Sequence, residues 1–154
     1  MKHLIKTIFI FNILLFSNIL AAKEDQIKIE SDKLFVSQNP SRSIFTGNVY
    51  AFDDEIKIWS DKMTITFFGP NNKIDTIEGE GNVKLIREKE EINADYVFYN
   101  LRKATIKAQE NIIVKQGENI IIGDQLDVDL QNATSIIKST KTNRVTAVIS
   151  IENE

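Results

Sequence analysis

The sequence predicts an all-β fold of about four stacked units, each giving two long, corner-bent antiparallel strands. Three observations carry that expectation. A stretch closing on Ile-x-x-Asp recurs at Ile29–Asp32, Ile58–Asp61, Ile92–Asp95 and Ile121–Asp124, with the aspartates 29, 34 and 29 residues apart. Apolar residues alternate with polar ones around each aspartate, the period-2 pattern of a strand with one buried face. β-branched residues dominate, and no stretch of the mature chain has helical periodicity.

The elements follow in order. Lys2 and Lys6 form a basic head, Ile8 to Leu20 an apolar stretch, and Ala21-Ala22 a small-residue cleavage site. Residues 1–22 are therefore expected to be a signal peptide, and 23–154 a single domain. The competing expectation is an uncleaved anchor, but the apolar stretch is short for a bilayer crossing, which needs roughly 20 residues. Loss of the two signal lysines leaves 17 Lys+Arg against 22 Asp+Glu. That mild acidity, with no basic block, argues against a nucleic-acid partner. The chain has no cysteine, hence no disulfides, and its one histidine, His3, lies in the signal. The usual general base, thiol nucleophile and zinc ligands are therefore missing, and neither a catalytic residue, a metal site nor a cofactor is expected.

Alignment on the aspartates exposes a common inward face. Three residues before Asp stand Ile29, Ile58, Ile92 and Ile121, with Ile27 one step further out in the first unit. Two after stand Leu34, Met63, Val97 and Leu126; four after, Val36, Ile65, Tyr99 and Val128; six after, Phe67 and Leu101 in the middle units. The apolar positions are odd before Asp and even after it. Such a slip would turn side chains to the wrong face unless the strand bends or bulges there. Asp32, Asp61, Asp95 and Asp124 are accordingly read as corners, because a short acidic side chain can bond nearby backbone N–H groups. Calcium ligation would need several oxygens converging on one point, and one Asp per unit does not supply them.

A second corner follows in three units, at Gly47-Asn48-Val49, Gly81-Asn82-Val83 and Glu110-Asn111-Ile112. Gly47 and Gly81 beside asparagine within a strand pattern indicate a bulge or a positive-φ kink. Val49 and Ala51, Val83 and Leu85, and Ile112 and Val114 alternate after it. Phe45 and Leu85, flanking the first two corners, join the inward candidates. Between Asp and Asn the chain reverses, most plainly at Phe68-Gly69-Pro70-Asn71-Asn72-Lys73. That unit's Asp-to-Asn distance is 21 residues against 16 in its neighbours, which accounts for the longer spacing. Asn132-Ala133-Thr134 forms a glycosylation sequon, of weight only where the machinery exists.

The inward set serves either as core or as a slot for acyl chains. The open ends, near Ile27–Ser31 and Val145–Ile151, are unpaired edges that invite a further strand, including head-to-tail self-assembly. Together, Ile27–Lys33, Phe45–Val49, Ile122–Asp124 and the late Arg144–Val148 resemble the OstA-like repeats of periplasmic lipopolysaccharide transport proteins of the LptA type. The resemblance spans essentially residues 24–151. It implies an open antiparallel β-jellyroll, or β-taco. It also implies a periplasmic bridge that carries lipopolysaccharide between LptC-type inner-membrane and LptD-type outer-membrane partners and hydrolyses nothing itself. Ile27, Ile29, Tyr99 and Leu101 are the groove positions it supports residue by residue. Glu110 departs from the family's Gly-Asn-Val at the third corner. The alternatives are an LptC-type anchored relative, a β assembly protein that binds no lipid, and an envelope-glycan enzyme working through paired carboxylates.

Overall fold

A computed structural model describes residues 27–54, 56–140 and 143–151. The predicted signal peptide lies outside the described residues. Within them every regular element is a strand: β1 (Lys28–Glu30), β2 (Lys33–Gln38), β3 (Ser41–Phe52), β4 (Ile56–Phe68), β5 (Lys73–Arg87), β6 (Glu90–Asn100), β7 (Thr105–Gln116), β8 (Asn119–Asp129), β9 (Thr134–Lys138) and β10 (Thr146–Val148). They form one sheet in the order β1-β3-β4-β5-β6-β7-β8-β10, with β2 also on β3 and β9 also on β8. All pairs are antiparallel.

The predicted slip of phase is a run of bulges. Gly47-Asn48 on β3 lies opposite Asp61 alone, because the register passes from Thr46↔Lys62 to Val49↔Ser60. Gly81-Asn82 faces Asp95, and Glu110-Asn111 faces Asp124, in the same way. Two residues against one is the count of a β-bulge, which bends the strand and re-aims the side chains beyond it. Each asparagine reaches back across the sheet: Asn48 Nδ2 donates to Asp32 Oδ2 at 2.9 Å, Asn82 to Asp61 at 2.9 Å, and Asn111 to Asp95 at 2.6 Å. The fourth unit has no asparagine there. Ser139 Oγ and the Thr140 N–H take its place on Asp124 Oδ2, at 2.9 and 3.0 Å. A line of Asp brackets thus crosses the whole sheet.

The bulge geometry explains the glycines. Gly47 and Gly81 have φ of 80° and 74°, and a Cβ on either would crowd the bracket aspartate, 2.9 Å from Asp32 Cβ or from Asp61 Cγ. The third corner places Glu110 in that conformation, at φ 63°. A non-glycine residue in the left-handed region carries roughly 1 kcal/mol or more of strain. Glu110→Gly is therefore expected to stabilise the protein by about 1 kcal/mol, read as a higher midpoint in urea at unchanged m-value. A lower midpoint would show that the Glu110 side chain contributes more than its backbone costs.

The longer second unit spends its extra residues on pairing. The β4–β5 turn, residues 69–72, is four residues, the same as the β6–β7 turn at 101–104. The sheet past the corner is simply deeper in β4 and β5.

The bracket line divides every long strand into two segments, and the sheet folds along it. Next to the line sit small inward residues, with Ser60, Ala94 and Gly123 all buried. They pair with Val49, Val83 and Ile112, which are 5 % exposed or less. Small side chains let the two segments approach at the crease, and larger ones hold them apart further out. The main cluster gathers around Ile112, Val114, Ala108, Leu126 and Val128; a smaller one joins Val49, Ala51, Met63 and Ile65. The close contacts between strands run chiefly between sheet neighbours. The fold is an open jellyroll.

Candidate functional site

Side chains from both segments face one cleft. Ile58, Leu85 and Ile92 lie on one side of the bracket line; Met63, Val97, Tyr99, Leu126 and Val128 lie on the other. The space between them is about 1070 Å³, counted out to its open mouth. Ile27, 41 % exposed, lines it at the β1 end. These nine are the predicted inward residues that the fold brings into one wall.

The remaining candidates sit elsewhere. Ile65 belongs to the smaller core cluster, and Ile29, Phe45 and Phe67 pack partly buried against it. Ile121 packs against the main cluster. Leu34 and Val36 lie on edge strand β2 and are 53 % and 62 % exposed. Leu101 occupies the β6–β7 turn, where its N–H donates to the Asp75 carbonyl at 2.9 Å.

The cleft also uses residues absent from the sequence-based set. Ile77 and Gly79 on β5, and Ile106 and Ala108 on β7, line it. They stand five and three residues before Asn82 and Asn111, so alignment on the asparagines finds them. Ala51 and Val83 continue the same wall beyond the bulge. Phe52, Asp53 and Ile56 close it at the β3–β4 turn, where Asp53 Oδ1 accepts the Ile56 N–H at 2.8 Å.

The chemistry of this wall is apolar. Its one phenol, Tyr99, is pushed above its ordinary pKa by burial and is neutral at physiological pH. Among the described residues no group of three or more His, Cys, Asp or Glu gathers as a metal site. The outward face is different. Lys62 pairs with Glu80 at 2.7 Å, and Tyr96 donates to Glu78 at 2.7 Å. Burial, reinforced by the Glu78 bond, pushes the Tyr96 phenol up to about 12. Glu91 stands between Lys84 and Lys115, and is held below the usual carboxylate range chiefly by the Asn93 amide.

Both ends of the sheet are edges. At one end β1 and β2 leave Leu34, Phe35 and Val36 half or more exposed; at the other, Ile136, Val148, Ile149 and Ile151 are exposed beside β9 and β10.

Comparison with known proteins bears on this arrangement. A curated but uncharacterized protein of Rhizobium meliloti (strain 1021) is 28 % identical over 117 residues, which cover 71 % of this chain and 63 % of that protein. The crystal structure of LptH from Pseudomonas aeruginosa, described as the LptA-homologous periplasmic component of the conserved lipopolysaccharide transport device, superposes with a TM-score of 0.70. It covers 83 % of this chain and 97 % of LptH, at 13 % identity. That likeness establishes the fold. Residues 28–148 match the family described as LptA/(LptD N-terminal domain) LPS transport protein. The chain, from its first strand to its last, belongs to the LptA/LptD N-terminal-domain family of lipopolysaccharide transport proteins.

Proposed function

We propose that this protein is the periplasmic carrier that holds the acyl chains of lipopolysaccharide in the apolar cleft. It passes them along a bridge between LptC-type inner-membrane and LptD-type outer-membrane proteins. It is a carrier, not an enzyme. The observation that carries this reading is the cleft itself: apolar side chains from both segments of an open sheet line one continuous space that opens to solvent. An acyl chain gains roughly 0.8 kcal/mol per buried methylene, so even partial insertion retains a lipid. An open mouth permits the release that a carrier needs. The exposed apolar edges at β1–β2 and β9–β10 are where partner strands, or further copies head to tail, would extend the sheet.

Photo-crosslinking tests the proposal. A photoreactive residue at Tyr99 or Ile58 is expected to give a lipopolysaccharide adduct, and one at outward-facing Gln109 none. Absence of an adduct at both inward positions would sink the carrier reading.

A further inference from the structure

The turns of the folded sheet alternate between two rims, and the rims differ in charge. One rim carries the β2–β3, β4–β5, β6–β7 and β8–β9 turns. Among the described residues it holds Arg42, Lys73, Arg102 and Lys103 against Asp75 and Asp129. Both acids are engaged. Asp75 pairs with Arg102 at 2.7 Å, and Asp129 accepts the N–H groups of Gln131 and Asn132 at 3.0 Å. Lys73 and Lys103 are exposed. The Arg102 guanidinium lies 5.0 Å over the Phe68 ring and shares its charge with Asp75, so the net charge of the rim rests mainly on the exposed Lys73 and Lys103. The other rim carries the β3–β4, β5–β6 and β7–β8 turns. Among the described residues, and counted to the same depth, it holds Asp53, Asp54, Glu88, Glu90, Glu91 and Glu118 against Lys28, Lys57, Arg87, Lys89 and Lys115, which nearly balance.

A cleft that is apolar inside, net basic along one lip and nearly balanced along the other is polarised across its mouth. An amphiphile with an anionic head has one favourable way to lie in it. Head-group charge over the balanced lip would find no net attraction, and over the basic lip it would be attracted. We infer that the basic rim, with Lys73 and Lys103 at its centre, is the head-group site that orients a phosphorylated amphiphile across the cleft. This rests on the carrier reading above and adds to it a direction and a ligand charge.

The test compares lipid A carrying its phosphates with the same lipid dephosphorylated, on the full mature chain. Lys73→Glu with Lys103→Glu is expected to weaken the phosphorylated lipid on the order of 10-fold at low ionic strength, and less with added salt. The dephosphorylated lipid should bind the variant as it binds wild type. Lys73→Gln with Lys103→Gln should move the phosphorylated lipid the same way by less. On the opposite rim, Asp54→Lys with Glu88→Lys should leave affinity unchanged or higher. Equal weakening of both lipids, or equal weakening by reversals on either rim, overturns the inference. A wild-type chain that binds both lipids alike, indifferent to the rim variants, overturns it while leaving the carrier reading intact. A chain that binds neither lipid removes both.

Discussion

Gly79→Phe is expected to leave the fold standing and to cut affinity for lipid A on the order of 30-fold. Gly79 is buried on β5, lines the cleft, and pairs with Met63 and Val97. A Cβ there would meet Val83 at 3.4 and 3.5 Å and Ser60 Cβ at 4.0 Å, which is ordinary packing distance. The backbone therefore accepts a side chain, and an aromatic residue favours a strand more than glycine does. The ring beyond Cβ would occupy the space in which the proposed function places acyl chain. Excluding about three methylenes forfeits roughly 2 kcal/mol, which is a factor of about 30 in affinity. Gln109→Phe puts the same ring on the outward face of β7 and should leave binding unchanged. Lipid titration together with thermal melting separates the outcomes. Unaltered affinity in a folded Gly79→Phe variant would mean that lipid does not lie in this cleft.

Gly81→Ala, a single added methyl group on the bracket line, should cost about 3 kcal/mol. Its φ of 74° costs an alanine roughly 1–2 kcal/mol, and the new Cβ would stand 2.9 Å from Asp61 Cγ and 3.0 Å from Asp61 Cβ. Asp61 must then move, and its bond from Asn82 is lost with it. Such a loss corresponds to a fall in melting temperature of about 10 °C for a domain of this size. A double-mutant cycle isolates the cause. In an Asp61→Ala background the carboxyl part of the clash is gone and only the Cβ contact at 3.0 Å remains, so the added cost of Gly81→Ala should shrink by about 1 kcal/mol. Strict additivity would show that the glycine matters for its backbone alone.

The fold was readable because both of its determinants are periodic. Period-2 alternation marked the strands, and the phase slip at each Asp marked the crease before any coordinates. The identity of the bracket partner was less readable. Three asparagines repeat visibly, but in the fourth unit a serine hydroxyl and a backbone N–H do the same work at Ser139 and Thr140, and a backbone group has no letter in the sequence. The cleft was half legible. Alignment on Asp found the even strands' contribution, such as Ile58, Met63 and Val128. The odd strands keep their own register relative to Asn, which hid Ile77, Gly79, Ile106 and Ala108. Leu34 and Val36 show the other limit. Their alternation matches that of Met63 and Ile65, yet burial needs a neighbour on both sides, and β2 has one. The charge difference between the rims was invisible in the overall balance. It appears only once the turns are sorted by the side on which they fall.

The bracket line makes length a free variable. Each unit packs chiefly against its neighbours, and each ends on the same Asp fixture with which the next begins. Inserting one more unit by gene duplication would add two strands, lengthening the trough by about 10 Å at the usual strand spacing, without disturbing those already present. Deleting one would shorten it equally. Such a protein is best compared to a gauge cut from stock: its lineage can set its length by counting units, leaving the cross-section of the trough untouched.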